Sequence, residues 1–215
     1  MLSGADLYRL SCESCHEPAG TGVPPEINSL IGPVQATSPV LIRQQMKQRG
    51  IDIGTKMVRD LSSQAEAAIR ARLTNGGTKM PPFRHLQRAE LDSVFAYLNL
   101  LAGVPGAEGK QIRVRESAMR VGELLVKGTC HICHDATGPG SGGGGMVARP
   151  GVIPSLASLP KERAEFEVVR KVREGLPMPM PMMTSSRGEM PLFPRLTPEE
   201  ISAAFEYLAS FPPRP

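Results

Sequence analysis

Apolar residues recur at helical spacing in six short stretches of this chain, and no run alternates strictly between apolar and polar as an open sheet would require. The pattern predicts helices over residues 4–12, 63–73, 88–101, 117–128, 161–174 and 198–210. Gly76 and Gly175 each follow a predicted helix and read as C-terminal stops. The final helix has a well-marked start: Thr197 as cap, Pro198 in the first turn and Glu200 to complete a capping box. The expected class is all-α, a few short helices joined by long loops.

The pattern is written twice. Gly4 and Leu7 precede Cys12 as Gly122 and Leu125 precede Cys130. Gly22-Val23-Pro24-Pro25-Glu26-Ile27-Asn28-Ser29-Leu30 is echoed by Gly151-Val152-Ile153-Pro154-Ser155-Leu156-Ala157-Ser158-Leu159. Met80-Pro81-Pro82-Phe83 and Leu86 return as Met190-Pro191-Leu192-Phe193 and Leu196, and Phe95-Ala96-Tyr97-Leu98 as Phe205-Glu206-Tyr207-Leu208. The offset shifts between these blocks, so the copies differ by loop insertions: a basic segment near residues 34–60 in the first, and the glycine run 138–145 in the second. Gly103 to Gly109 is rich in Gly and Pro without apolar periodicity. The organisation expected is therefore domain 1 over residues 1–102, a linker over 103–115 and domain 2 over 116–215.

Composition sharpens this. Only 40% of the 215 residues are apolar and 4% aromatic, with no Trp, while 22 Gly and 21 Pro make about one residue in five. Two cores built from such a chain are thin unless something else fills them. The net charge of +4 is mild, and no basic cluster interleaved with aromatics points to nucleic acid. No stretch approaches the roughly 20 apolar residues that span a bilayer, and Met1–Asp6 lacks the basic-then-apolar order of a signal peptide. A soluble chain is expected.

All four cysteines fall in two identical spacings, Cys12-Glu13-Ser14-Cys15-His16 and Cys130-His131-Ile132-Cys133-His134. C-x-x-C-H is the spacing of covalent c-type haem attachment: two thiols add to the two vinyl groups, and the next residue presents an imidazole to the iron. A single four-thiolate zinc site is the competing reading, but zinc accounts for neither the following His nor the repeated Met-Pro segment. A redox dithiol lacks its βαβ surroundings. His16 and His134 are thus the proximal candidates. A second axial ligand must come from elsewhere, commonly Met or His. Of the four histidines, His131 is tethered between two cysteines and His85 cannot serve two irons. The repeat nominates Met80 and Met190, each opening a segment stiffened by proline. Met178 and Met180 lie near enough to compete with Met190. The exposed-looking cations Arg43, Lys47, Arg49, Lys56 and Arg59 read first as a solvated helix face, and second as a docking patch for an acidic partner.

Each half resembles a class I cytochrome c: N-terminal helix, Cys-x-x-Cys-His, Gly/Pro loop, Met-Pro loop, final aromatic-bearing helix. The resemblance implies two covalently bound haems c, one filling each core. It implies that a loop proline carbonyl, Pro25 (with Pro24 as alternative) or Pro154, accepts a hydrogen bond from the proximal imidazole. It also implies that the first and last helices of each half pack together, Gly4 and Gly122 facing Tyr97 and Tyr207. Function is expected to be one-electron transfer between redox protein partners, with no catalytic residue. The chain is then a free carrier or the electron-exit subunit of a membrane-bound or multi-subunit dehydrogenase or quinol-oxidising complex. A di-haem peroxidase or sulfur-oxidising enzyme is less favoured, since every cysteine is used for attachment. C-type attachment occurs outside the cytoplasmic membrane, so a periplasmic or otherwise exported location is expected.

Overall fold

A computed structural model describes residues 1–78, 80–134, 153, 155–175 and 190–211. The chain divides into two compact units, Met1–Arg115 and Glu116–Pro215.

The first unit runs β1 (Leu2–Ser3), α1 (Gly4–Ser11), α2 (Glu13–His16), α3 (Ile31–Gln35), α4 (Pro39–Gln48), α5 (Thr55–Asn75), α6 (Arg88–Leu101) and β2 (Arg113–Val114). A reciprocal cap starts α1: the Ser3 N–H donates to the Asp6 carboxylate at 2.8 Å, and the Asp6 N–H donates back to Ser3 Oγ at 3.3 Å. Leu7, Tyr8 and Leu10 of α1 are buried, with Val94, Phe95 and Leu98 of α6 across from them. The two helices cross where Gly4 has no side chain. A β-carbon there would collide with the Ser93 carbonyl oxygen and lie 2.6 Å from Tyr97 Cβ.

The second unit repeats the frame with α7 (Ala118–Gly128), α8 (Leu159–Glu162), α9 (Glu165–Glu174) and α10 (Pro198–Ser210). Its helices α7 and α10 pack together through buried Leu124, Leu125, Ile201 and Leu208. Gly122 supplies the gap: a β-carbon there would strike the Ala203 carbonyl oxygen and lie 2.9 Å from the Ala204 nitrogen. Ser93 and Ala203 occupy matching places in the two halves, so the crossing point is the same. Tyr207 stands one turn after Ala203 on α10, its ring 4.9 Å from that of Phe211 and 6.0 Å from Lys127 Nζ. The anticipated start of α10 is present, with the Thr197 N–H donating to the Glu200 carboxylate at 2.9 Å and Thr197 Oγ1 accepting from the Glu200 N–H at 3.2 Å.

Three stretches depart from expectation. The predicted helix 63–73 begins at Thr55, and a separate helix, α4, precedes it, started by Ser38 Oγ accepting from the Leu41 N–H and by Pro39 in its first turn. The predicted helix 161–174 breaks at Arg163, whose backbone is extended, into α8 and α9. Residues 103–115 are no free linker. Leu2 and Ser3 pair antiparallel with Val114 and Arg113, Ala107 and Val114 are buried, and the Gln111 amide donates to the carbonyls of Ala96 and Ala107. The Gly/Pro content that suggested a linker serves turns, while Ser93 Oγ, donating to the Ile112 carbonyl at 2.7 Å, fastens the segment to α6.

Replacing Gly122 with Ala is expected to destabilise the second unit by about 1–3 kcal/mol, because backbone must move to admit one methyl; denaturant unfolding followed by circular dichroism reads this. Acidification gives a second expectation. Burial pushes the Glu123 carboxyl up, but hydrogen bonds from Lys127 (2.6 Å) and Arg120 (2.5 Å) outweigh it and hold the group below its ordinary value of 4.5. A depressed folded value means stability that is complete above the unfolded value and is lost as pH falls through the folded one. Glu123→Gln should therefore cost about 2 kcal/mol at pH 7, and urea midpoints of variant and parent should converge on acidification.

Candidate functional site

Each C-x-x-C-H motif forms a single helical turn leaving the first helix of its unit. In the first unit the Cys12 N–H donates to the Tyr8 carbonyl at 2.7 Å, and the N–H groups of Cys15 and His16 both donate to the Cys12 carbonyl, at 3.2 and 2.9 Å. In the second, a 3-10 turn over Cys130–Ile132 gives the same pattern: Cys133 and His134 donate to the Cys130 carbonyl at 3.2 and 3.0 Å. Residues three and four apart on such a turn share a face. Both thiols and the imidazole of each motif therefore point to one side.

The chemistry of these groups suits a bound porphyrin. All four cysteines are free thiols. Burial, reinforced by the neighbouring cysteine, pushes the Cys12 thiol up to about 12. Burial likewise pushes Cys130 up to about 12. Burial also lowers the His16 imidazole, partly opposed by the Asn28 backbone carbonyl. His16 Nδ1 is buried without a hydrogen-bond partner. A neutral imidazole with an unsatisfied buried nitrogen, beside two thiols on one face, fits a haem edge and its iron. Among the described residues no three His, Cys, Asp or Glu side chains converge as a lone metal ion would need. The donors are spread along a turn instead.

The Met segments are held alike. Gly76 ends α5 at φ 71°, and a β-carbon there would come within 2.6 Å of the Met80 carbonyl, so both conformation and space require glycine. The Gly77 N–H then donates to that carbonyl at 2.8 Å. Downstream, the Phe83 N–H donates to the Leu73 carbonyl of α5 at 2.7 Å, and Leu86 to Phe83 at 3.1 Å. In the second unit Gly175 ends α9 at φ 83°, the Phe193 N–H donates to the Val172 carbonyl of α9 at 2.9 Å, and Leu196 to Phe193 at 3.1 Å. Met80 and Met190 are both half-buried at the head of these anchored segments.

His85 sits beside Phe83, ring centroids 5.8 Å apart, on the flank of the Met80 segment. The Asn28 backbone carbonyl acts on His16, and Pro25 lies three residues earlier on the same loop, exposed. Pro154, Met178, Met180 and the glycine run 138–145 lie outside the described residues. One residue was missed from sequence: Tyr8 is fully buried, and its hydroxyl donates to the Glu17 carbonyl at 2.6 Å. Glu17 has φ 62° and ψ 160°, a backbone region essentially reserved for glycine that costs about 1–3 kcal/mol. A glutamate directly after the motif, where the chain must double back, was the available signal.

Residues 1–98 match the family model described as "Cytochrome C oxidase, cbb3-type, subunit III", and residues 119–212 the family model described as "Cytochrome c". The chain is a di-haem c-type cytochrome. No curated protein and no solved structure matches it. Each domain of this cytochrome binds one covalent c-type haem, and the protein is an electron-transfer haem protein. The two C-x-x-C-H turns are Cys12–His16 in one unit and Cys130–His134 in the other.

Replacing both Cys130 and Cys133 by Ala should lower the covalent haem content from two per chain to one, measured as the alkaline pyridine haemochrome against protein concentration. A content that stays at two would remove these thiols from attachment.

Proposed function

We propose that this cytochrome is a one-electron relay between a reduced donor and an oxidised acceptor, with His16 and Met80 as axial ligands in the first unit and His134 and Met190 in the second. The supporting observation is the matched anchoring of the two Met segments. Each follows a helix ended by a left-handed glycine, and each is tied back to that helix through the N–H of the phenylalanine three residues after the methionine. That correspondence favours Met190 over Met178 and Met180. When bound, each haem supplies a ferric/ferrous couple, and thioether ligation shifts it towards the ferrous form. The protein's part is to hold an imidazole and a thioether in fixed places, to exclude water, and to leave no position open for substrate.

A second reading, favoured by the match of residues 1–98 to an oxidase subunit model, is that the chain works as the cytochrome subunit of a membrane-bound oxidoreductase complex. No helix among the described residues is long and apolar enough to cross a membrane, so this chain's described part would meet such a complex through surface contacts. Arg43, Lys47, Arg49, Lys56 and Arg59 are all exposed around α4 and the start of α5, and an acidic partner is the kind such a face suits. A periplasmic or otherwise exported location goes with covalent haem attachment.

Ligation is tested by the weak ferric absorption band of Met-bound haem iron. Met80→Ala and Met190→Ala should each remove about half of it, and the double variant all of it. A band unchanged in either single variant would remove that methionine from the iron. Tight binding of carbon monoxide by the unmodified ferrous protein would point to an open site and an enzyme.

A further inference from the structure

We propose that Tyr8 is the positioning residue for the first haem's proximal histidine, holding both ends of the turn that carries His16. Its backbone carbonyl accepts from the Cys12 N–H at 2.7 Å, where the turn begins, and its hydroxyl donates to the Glu17 carbonyl at 2.6 Å, where it ends. The side chain is itself immobilised. It is 1% exposed, and its ring lies 5.4 Å from that of Tyr97 at 54°. Through α1 it is fixed to α6 at the Gly4 crossing. One residue thus references the imidazole-bearing turn to the helix pair.

The need for such a tie lies in Glu17. Its φ of 62° with ψ of 160° is one that a side chain resists, and Glu17 is the sole described non-glycine residue with positive φ. A strained peptide adjacent to His16 will relax unless something opposes it, and relaxation there rotates the backbone that aims the imidazole. The Glu17 carbonyl takes two hydrogen bonds, from Tyr8 Oη and from the Gly20 N–H at 3.0 Å. Only the first comes from outside the loop. Burial keeps the Tyr8 phenol protonated, and so a donor, throughout the working pH range. Val126 stands four residues before Cys130 as Tyr8 stands four before Cys12, and it has no hydroxyl. At that position, then, the second unit has no hydroxyl to make this tie.

The inference rests on His16 being an axial ligand. The experiment uses the whole di-haem protein, with potentiometric titration and proton NMR of the ferric form, haem-methyl resonances being assigned through contacts to His16 and His134. Tyr8→Phe removes one oxygen. It should change the ferric:ferrous ratio of the first haem at fixed ambient potential by about threefold, equivalent to ~28 mV at 59 mV per tenfold. It should also move that haem's methyl shifts, leaving the second haem as in the parent. Adding Glu17→Gly, which abolishes the strain, should return potential and shifts towards the parent values, whereas Glu17→Gly alone should be nearly silent. If Tyr8→Phe loses the first haem altogether, recovery of that haem by Glu17→Gly supports the proposal, and failure to recover it overturns it. An unaltered first haem, an equal change in both haems, or a shift that Glu17→Gly does not reverse would each overturn it. Absence of any His16 contact to the haem in the parent protein would instead overturn the ligand assignment beneath it.

Discussion

Two helices can approach until their backbones touch only where one of them carries no side chain, and in each unit that place is a glycine near the start of the first helix. Gly4 meets the Ser93 carbonyl, Gly122 that of Ala203, and the remaining geometry follows from those contacts. With α1 and α7 fixed against the last helix of their units, the C-termini of both are fixed as well. The attachment turns begin there, at Cys12 and at Thr129-Cys130. The rest of each unit's frame is a helix, α5 or α9, ending in a glycine, and a Met segment hung from that helix through Phe83 or Phe193.

What could be read from sequence is what repeats or what carries chemistry. The duplicated C-x-x-C-H, the Met-Pro segments and the final capped helix survive translation into structure because each is set by local rules: spacing on one helical turn, proline stiffness, reciprocal side-chain to backbone caps. The early start of α5 was not legible, since Thr55 to Ser62 offers no side-chain cap and its residues are mostly exposed, so no apolar stripe declares a helix. Residues 103–115 misled for the opposite reason. Their composition is that of a linker, and only tertiary pairing with Leu2 and Ser3 makes them part of the first unit.

The duplication is imperfect where it bears on the haems. Around the first, α1 contributes a tyrosine hydroxyl to a strained turn. Around the second, α7 instead buries Lys127 beneath Tyr207 and pairs it with Glu123, itself held by Arg120. Hydrogen bonding, burial and nearby charge are what tune a haem couple when its axial ligands are unchanged. Two identical units would have equal potentials, and an electron shared between them would have no preferred end. The residues beside the two attachment turns differ, as do the loop insertions, while the crossing, the turn and the Met anchor stay common.

Direction also needs partners that dock differently on the two units, and the charge distribution supplies a difference. Between Pro39 and Leu61 the chain carries five cations against Asp52 and Asp60, a net of +3 within a protein whose total is +4. These cations lie on α4 and the start of α5, exposed among Val40, Ile51 and Met57, and the second unit has no counterpart in sequence to this inserted segment. Charge so concentrated acts over about a Debye length, roughly 8–10 Å at physiological salt. It biases which face an acidic molecule meets first, more than how tightly it is then held. The two units thus present different fields to any charged molecule that approaches them, the first being the basic one over this segment.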